Sequence, residues 1–141
     1  MSLKKDNFKP LDKKIMNFAI NLAENKKYFT GTNPSVGCVI VKKNKILSFA
    51  TTNYGGRPHA ENIALGKNRF NKGTTLYSTL EPCSHHGKTP PCTNKIIKNK
   101  IKKVYYSIED KDYRTFNKTK KILESKNIIA KSGLILQLYF L

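Results

Sequence analysis

A histidine and two cysteines in the middle of the chain have the types and spacing of a metal site. His59 is followed two residues later by Glu61, and Cys83 and Cys92 lie downstream, each directly after a proline. An imidazole and two thiolates are ligands that Zn²⁺ favours, and three protein ligands leave a fourth position open for water. A carboxylate beside such a site can move protons, so these residues predict a hydrolytic zinc centre with Glu61 as its acid and base.

The arrangement is typical of zinc-dependent deaminases, which pair a His-x-Glu sequence with a Pro-Cys-x-x-Cys sequence. Here eight residues, not two, separate Cys83 from Cys92. The alternative is a structural zinc, which normally has four protein ligands. No fourth ligand is obvious in the pattern, although His85 or His86 could supply one. We therefore expect one catalytic Zn²⁺ per chain, bound by Cys83, Cys92 and His59.

The longer loop between the cysteines is compatible with a metal site. Extending it from about three residues to about nine adds roughly 1 kcal/mol of closure free energy. Zinc binding in structural peptides supplies on the order of 10–16 kcal/mol, so the extra length is tolerated. The loop residues are then free to contact a ligand, and His85 and Lys88 would suit a phosphorylated substrate.

Two prolines place predicted ligands at the starts of helices. Pro58 suits the first position of a helix that runs to about residue 68, and Pro91 precedes a short helix over 92–99. His59 and Cys92 would then lie in first turns, where the positive helix ends favour thiolates and other anions. Glu61 would lie one residue beyond the shared face, within reach of a bound water.

Apolar periodicity predicts the remaining elements. Helical spacing indicates a helix over 11–25, and apolar runs bounded by turns indicate strands. The predicted strands are 36–41, 45–52, 74–80, 103–108 and 128–131, the first two joined as a hairpin by a turn at 42–44; a helix is predicted over 115–126, and 134–141 as a strand or short helix. This order predicts a three-layer α/β/α sandwich around a mixed five-stranded sheet.

Composition bounds the class of protein. The chain has 141 residues, about one domain's worth, and a net charge of +18. Only three of its 27 basic residues are arginines, so a solvated surface is favoured over a specific nucleic-acid surface. With no long apolar run and no signal peptide, we expect a cytoplasmic protein without membrane contact. Three cysteines make no disulfide framework, and Cys38, in an apolar run, is expected to be buried.

Three segments carry a resemblance to a known family: Asn33–Val41, Gly56–Leu65 and Leu76–Cys92, the last being highly specific. Over roughly residues 11–132 the chain resembles the pyrimidine deaminase of riboflavin biosynthesis, usually found as the N-terminal half of a bifunctional deaminase-reductase. The resemblance implies a cytidine-deaminase-like fold. It also implies hydrolytic removal of the ring amino group of 2,5-diamino-6-(5-phosphoribosylamino)pyrimidin-4(3H)-one, giving 5-amino-6-(5-phosphoribosylamino)uracil and ammonia.

The resemblance also implies substrate contacts, while its metal ligands and proton shuttle are the residues named above. Asn33 would hydrogen-bond the substrate, and His85 and Lys88 would hold the pyrimidine and the ribose phosphate. Thr52 and Asp112 occupy further substrate-binding positions. For Asn33 the alternative is a turn residue that only shapes the loop before a proline.

Two departures from the family pattern affect the expected pocket. Thr52 stands where the family often has a histidine. A segment that contains glycines in the family corresponds here to Asp110–Arg114 followed by Asn117–Thr119, which have none. Because a turn that favours glycine has lost it, this part of the substrate pocket is expected to differ.

The family resemblance also leads to expectations about domains and partners. We expect residues 1–141 to form a single zinc-dependent deaminase domain with no reductase domain and no use of NADPH. Two alternatives stay open for the reductase: it is a separate chain, or this domain is a remnant of a decayed pathway. The apolar segment Leu134–Leu141 and the family resemblance favour a homodimer or larger homo-oligomer. Two alternatives stay open: a nucleoside- or tRNA-type zinc deaminase, suggested by the charge, and a non-catalytic, degenerate deaminase domain, suggested by the altered segment 110–119.

Overall fold

A mixed five-stranded sheet forms the centre of the computed structural model, which describes residues 8–135. The strands are β1 (Gly37–Lys42), β2 (Lys45–Thr51), β3 (Thr75–Leu80), β4 (Lys103–Ile108) and β5 (Ile129–Lys131). The helices are α1 (Pro10–Asn25), α2 (Ala60–Gly66), α3 (Cys92–Lys98) and α4 (Thr119–Glu124). These elements confirm the predicted fold class and the predicted order of helices and strands.

The sheet has the order β2-β1-β3-β4-β5. Strand β1 pairs antiparallel with β2 and β3, whereas β3, β4 and β5 run parallel. Helix α1 packs on one face of the sheet, and α2 packs on the other against β1 and β2. Because the parallel strands are joined by helices that cover this second face, the result is the predicted three-layer sandwich.

Side chains of the central strands point alternately to the two faces of the sheet and so contribute to the apolar cluster on each face. In β1, Val39 contributes to the cluster beneath α1, while Cys38 contributes to the cluster beneath the other helices. Tyr77 and Leu76 divide between the two faces of β3 in the same way. A strand covered on both faces reads as a continuous apolar run, which is why β1 was recognisable from the sequence and why Cys38 is buried, as predicted.

Two predicted helices begin later than expected. His59 precedes α2 with an extended backbone (φ −69°, ψ 156°), so it caps the helix instead of lying in its first turn, and Pro58 lies outside it. The predicted helix over 115–126 is wrong in its first turn, because α4 starts only at Thr119. Asn117 has a left-handed backbone (φ 58°), a conformation that asparagine tolerates but that an α-helix cannot include.

The carboxyl end of β3 and the start of β1 lie next to each other at one end of the sheet. Strand β3 ends at Leu80 and runs directly into the sequence Glu81-Pro82-Cys83. The start of β1 lies beside it, since the Gly37 amide donates a hydrogen bond to Thr79 Oγ1 at 3.1 Å. In open α/β sheets, ligands bind in the crevice beyond the carboxyl ends of the strands, so a functional site is expected at this end of the sheet.

The predicted last element falls mostly on residues 136–141, outside the residues that the structure describes. Within the described part, Leu134 is buried against the α1 layer. Among the helices of residues 8–135, none has the length and apolar character that crossing a membrane requires.

Helix α1 and strand β1 meet closely at Gly37, which provides a test of the packing. A Cβ atom at this position would lie 2.0 Å from the Ala19 carbonyl oxygen. We expect Gly37→Ala to lower the free energy of unfolding by about 3 kcal/mol, because helix and strand must move apart. The measurement is urea unfolding of the two proteins.

Gly66→Ala is the matched control for this substitution. A Cβ at Gly66 would meet only the flexible end of Lys95, at 3.7 Å. Stability should therefore stay unchanged or rise by up to about 1 kcal/mol. Equal effects of the two substitutions would contradict the close approach of α1 to β1.

Candidate active site

Three potential metal-ligating side chains meet at the carboxyl end of the central strand β3. The ligand atoms of His59, Cys83 and Cys92 all lie within 4.8 Å of one another. His59 Nδ1 is 3.8 Å from Cys83 Sγ and 3.4 Å from Cys92 Sγ. A tetrahedral zinc ion with ordinary bond lengths would separate such a nitrogen from a sulfur by about 3.6 Å, so the three groups fit this metal.

The ends of nearby helices and strands position each of the three metal-ligating residues. His59 is held immediately before α2, and Cys83 follows the end of β3 after two residues. Cys92 is the first residue of α3, and its backbone amide donates a hydrogen bond to Cys83 Sγ at 3.2 Å. The amide of Thr93 donates to the Cys83 carbonyl, also at 3.2 Å. The start of α3 therefore holds both cysteines in one arrangement.

The pKa values of the two cysteine thiols are shifted in opposite directions. Hydrogen bonding from Cys92, and then from His59, lowers the pKa of Cys83 to about 4. The pKa of Cys92 is raised, first by its interaction with the Cys83 sulfur and second by burial. The Cys83 thiolate in turn raises the pKa of His59. The protein thus holds a stabilised thiolate at a position where a metal cation would sit.

Glu61 lies beside the three ligand groups and is only 4% exposed. Its Oε2 accepts a hydrogen bond from Cys92 Sγ at 3.4 Å, and its Oε1 lies 2.9 Å from Ser78 Oγ. Burial raises the pKa of Glu61, with smaller opposing effects from its hydrogen bonds and from His59. A carboxyl group with a raised pKa can both take and return a proton near neutral pH.

The Ser78 hydroxyl links Glu61 to the end of β3. Its Oγ also lies 2.7 Å from the Leu80 carbonyl oxygen. The hydrogen bond from Ser78 Oγ to Glu61 Oε1 favours the ionised carboxylate and partly opposes the effect of burial on the pKa of Glu61. Each oxygen of the buried carboxyl group thus has a hydrogen-bond partner, Ser78 on Oε1 and Cys92 on Oε2.

A cavity of about 280 Å³ opens in front of these residues. Four predicted substrate contacts lie in its wall, namely Asn33, Thr52, His85 and Asp112, together with Glu61 and two of the metal-ligating groups. Lys88 does not line this cavity and is exposed on the loop between the cysteines. The structure therefore brings together every predicted site residue except Lys88.

Asn33 and Thr52 also have structural roles. The Asn33 amide nitrogen donates to the Gly56 carbonyl at 2.9 Å, which leaves its Oδ1 as an acceptor. Gly56 is required there, because at its φ of 97° a Cβ would lie 2.7 Å from that nitrogen. Thr52 Oγ1 accepts from the Val36 amide at 2.9 Å and fastens β2 to the loop before β1.

The altered segment 110–119 is firmly attached to the cysteine loop. The buried Glu81 carboxylate accepts from the amides of Asp110 (3.2 Å) and Thr119 (3.3 Å). The Thr119 hydroxyl donates to the carbonyl of Pro82, the residue before Cys83, at 2.6 Å. With Asn117 providing the left-handed turn, the segment closes this side of the pocket without the family's glycines.

Two arginines that were not predicted as site residues, Arg57 and Arg114, also lie in the cavity wall. Arg57 donates to Thr89 Oγ1 at 2.8 Å and so ties the cysteine loop to the approach of α2. Arg114 pairs with Asp112, and its side-chain hydrogen bonds hold the pKa of that carboxyl below its usual range. Arg57 lies inside a recognised motif, but nothing in the motif indicated its partner.

Neither loop histidine joins the metal-ligating group. Within the described residues, the group that could hold a metal ion consists of His59, Cys83 and Cys92. His85 Nδ1 lies 2.8 Å from Thr115 Oγ1, and His86 is exposed. The arrangement therefore offers three protein ligands and keeps a side open to the cavity, as catalytic zinc sites do.

Comparison with known proteins agrees with this geometry. The family described as the cytidine and deoxycytidylate deaminase zinc-binding region matches residues 9–108. The diaminohydroxyphosphoribosylamino-pyrimidine deaminase of Buchnera aphidicola subsp. Schizaphis graminum is 42% identical over 125 residues, which are 88% of this chain and 85% of that protein. The riboflavin biosynthesis protein RibD of Aquifex aeolicus is 48% identical over 101 residues, 71% of this chain and 28% of that protein.

Solved structures give the same result. RibD of Acinetobacter baumannii superposes with a TM-score of 0.86 at 38% identity, covering 92% of this chain and 36% of that one. The Rib2 deaminase of Aspergillus oryzae, solved in complex with DARIPP, has a TM-score of 0.68 at 21% identity, covering 88% of this chain and 85% of that one, and so shows the fold alone. The chain spans about a third of the length of the curated RibD relatives it matches.

The family match covers most of the chain, and the Buchnera relative is matched over most of its own length. The chain therefore belongs to the cytidine and deoxycytidylate deaminase zinc-binding family, within its riboflavin-pathway pyrimidine deaminases.

Proposed function

We propose that this chain hydrolyses the ring amino group of 2,5-diamino-6-(5-phosphoribosylamino)pyrimidin-4(3H)-one. The water oxygen forms a bond to the ring carbon and becomes the carbonyl of the uracil product, while the carbon–nitrogen bond breaks. One water proton goes to the ring nitrogen and the other leaves with the amine as ammonia. The reaction transfers no electrons to a cofactor, so the deamination itself uses no NADPH.

The observation that carries this proposal is the placement of Glu61. Its carboxyl group is buried beside the metal-ligating group, 3.4 Å from Cys92 Sγ, and it lines the cavity. Burial raises its pKa, which suits a group that takes a proton from water and delivers it to the substrate nitrogens. A degenerate domain would have no need to keep a carboxyl group in this costly environment.

His59, Cys83 and Cys92 are the residues that we assign to zinc. Their chemistry and mutual distances suit this ion, and two of the three, His59 and Cys83, line the cavity. When bound there, zinc supplies a Lewis acid that activates water and stabilises developing negative charge.

The cavity wall supplies groups for the substrate. Asn33 Oδ1 is left as an acceptor that suits an N–H group of the pyrimidine, and His85 offers a ring nitrogen. Lys88, on the exposed part of the cysteine loop, is assigned to the ribose phosphate outside the cavity. The substrate would thus insert its ring and leave its phosphate near the surface.

Further partners follow from the relatives and remain part of the proposal. The matched RibD relatives are much longer than this chain, and the deaminase-reductase organisation of the family makes a reductase the expected partner. We propose that a reductase, as a partner chain or a fused domain, acts together with this deaminase, and that the protein forms a homodimer or larger assembly. A monomer mass in light scattering at micromolar concentration would contradict the assembly.

The zinc assignment can be tested with the three cysteines of the chain. Wild-type protein should contain about one zinc ion per chain after exchange into trace zinc, and Cys83→Ser and Cys92→Ser should contain almost none. Metal analysis by mass spectrometry is the measurement. Cys38→Ala is the matched control, because Cys38 is buried but lies outside the metal-ligating group, and it should keep its zinc. Zinc retained in Cys83→Ser would contradict the assignment.

The role of Glu61 can be tested by ammonia release from the phosphoribosylated substrate. Glu61→Gln should lower kcat by about 10²–10⁴ while zinc content stays the same, because the amide fills the space but transfers no proton. Glu24→Gln, at an exposed position of α1, should behave as wild type. Full activity in Glu61→Gln would refute the mechanism, and a zinc-loaded wild type without turnover would refute the proposed reaction.

The assignment of Lys88 predicts a dependence on the substrate phosphate. Lys88→Ala should raise KM for the phosphorylated substrate by about tenfold or more and leave KM for the dephosphorylated compound unchanged, because a charged hydrogen bond is lost. Lys98→Ala, at an exposed position of α3, controls for the general loss of positive charge. A similar rise in both variants would show that Lys88 acts only through the overall field.

A further inference from the structure

His85 has a hydrogen-bond partner from the altered segment 110–119. Thr115, which is fully buried, places its Oγ1 at 2.8 Å from His85 Nδ1. The backbone amide of Ser84 donates to the same oxygen at 3.4 Å. The Thr115 hydroxyl therefore lies between a loop amide and the ring that lines the substrate cavity.

Counting protons decides the direction of the Thr115–His85 bond. The Ser84 amide can only donate, so Thr115 Oγ1 accepts from it. Among the contacts of residues 8–135, His85 Nδ1 is the acceptor available to the Thr115 hydroxyl proton. If Nδ1 carried the proton instead, a buried hydroxyl would lack an acceptor, which is unfavourable. Thr115 therefore donates to Nδ1, and the ring proton resides on Nε2.

We propose that Thr115 is a positioning residue that fixes His85 as the neutral Nε2–H tautomer, so that His85 donates a hydrogen bond to an oxygen of the substrate. This inference rests on the proposed function, because it concerns the same cavity. A donor at this position selects an acceptor atom, which in a phosphoribosylated pyrimidinone is the ring carbonyl oxygen or a phosphate oxygen. It disfavours an amino group at the same place.

The surrounding contacts make Thr115 a rigid support. Its segment is attached at both ends to the residues before the cysteine loop, through Glu81 and through the Thr119 hydroxyl on the Pro82 carbonyl. The Thr115 amide also donates to the Asp112 carbonyl at 2.9 Å. The hydroxyl is thus held in place by backbone contacts that do not depend on a ligand.

The first arm of the test is NMR of the histidine ring nitrogens in ¹⁵N-labelled, zinc-loaded protein without substrate. Wild type should show His85 with a protonated Nε2 and an unprotonated Nδ1, and Thr115→Ser should keep this signature. Thr115→Val, which has the same shape without the hydroxyl, should lose the single tautomer. A wild-type His85 with its proton on Nδ1 would overturn the proposal whether or not the variants fold.

The second arm is kinetics with the proposed substrate. Thr115→Val should raise KM by about tenfold with a smaller change in kcat, Thr115→Ser should restore the wild-type value, and zinc content should be equal in all three. In a His85→Asn background the effect of Thr115→Val should vanish, because the coupling passes through the ring. An undiminished effect in that background, or a wild-type KM in Thr115→Val, would overturn the proposal.

The dephosphorylated substrate identifies the oxygen that accepts the bond. If the KM effect of Thr115→Val persists with this compound, the acceptor is the ring carbonyl, and if it disappears, the acceptor is a phosphate oxygen. Either result supports the donor role of His85. If wild type turns over neither compound, the proposed function fails, while the NMR arm still decides the link between Thr115 and His85.

Discussion

The structure depends on one constraint: three side chains that are far apart in sequence must meet where the central strand ends. Cys83 leaves the carboxyl end of β3, and the starts of α2 and α3 bring His59 and Cys92 to it on the same face of the sheet. The hydrogen bond from the Cys92 amide to Cys83 Sγ, 3.2 Å long, joins strand end to helix start directly. Glu61 is the second residue of α2, in its first turn, and its carboxyl group therefore reaches the same point beside the metal-ligating group.

Much of this arrangement was predictable because it is encoded locally. The residue types and spacing of the three ligands, and the carboxylate two positions after the histidine, specify the chemistry without reference to the fold. The central strands were predictable because burial on both faces gives continuous apolar runs, and the hairpin because Lys43 and Asn44 form a turn of left-handed residues between matched strands. The left-handed turn at Asn117 was not predicted, because a helix was expected over 115–126, although asparagine tolerates that conformation.

The parts that the sequence did not reveal depend on long-range hydrogen bonds. The Thr115 contact to His85 and the Thr119 contact to Pro82 join residues about thirty or more positions apart, and neither threonine stands out by type. They turn a segment that looked eroded into the support of the cysteine loop. The sequence also did not reveal that Lys88 lies on the exposed part of the cysteine loop and does not line the cavity.

His59, Cys83 and Cys92 would give zinc three protein ligands and leave the fourth position to water. X-ray absorption spectroscopy of the zinc-loaded wild type tests it most directly, because sulfur neighbours and imidazole rings leave distinct signatures around the metal. We expect two sulfurs at about 2.3 Å, one imidazole nitrogen at about 2.0–2.1 Å and one further oxygen that does not belong to a ring. Two sulfurs with two imidazoles would show that a loop histidine closes the site, which would contradict a catalytic zinc centre.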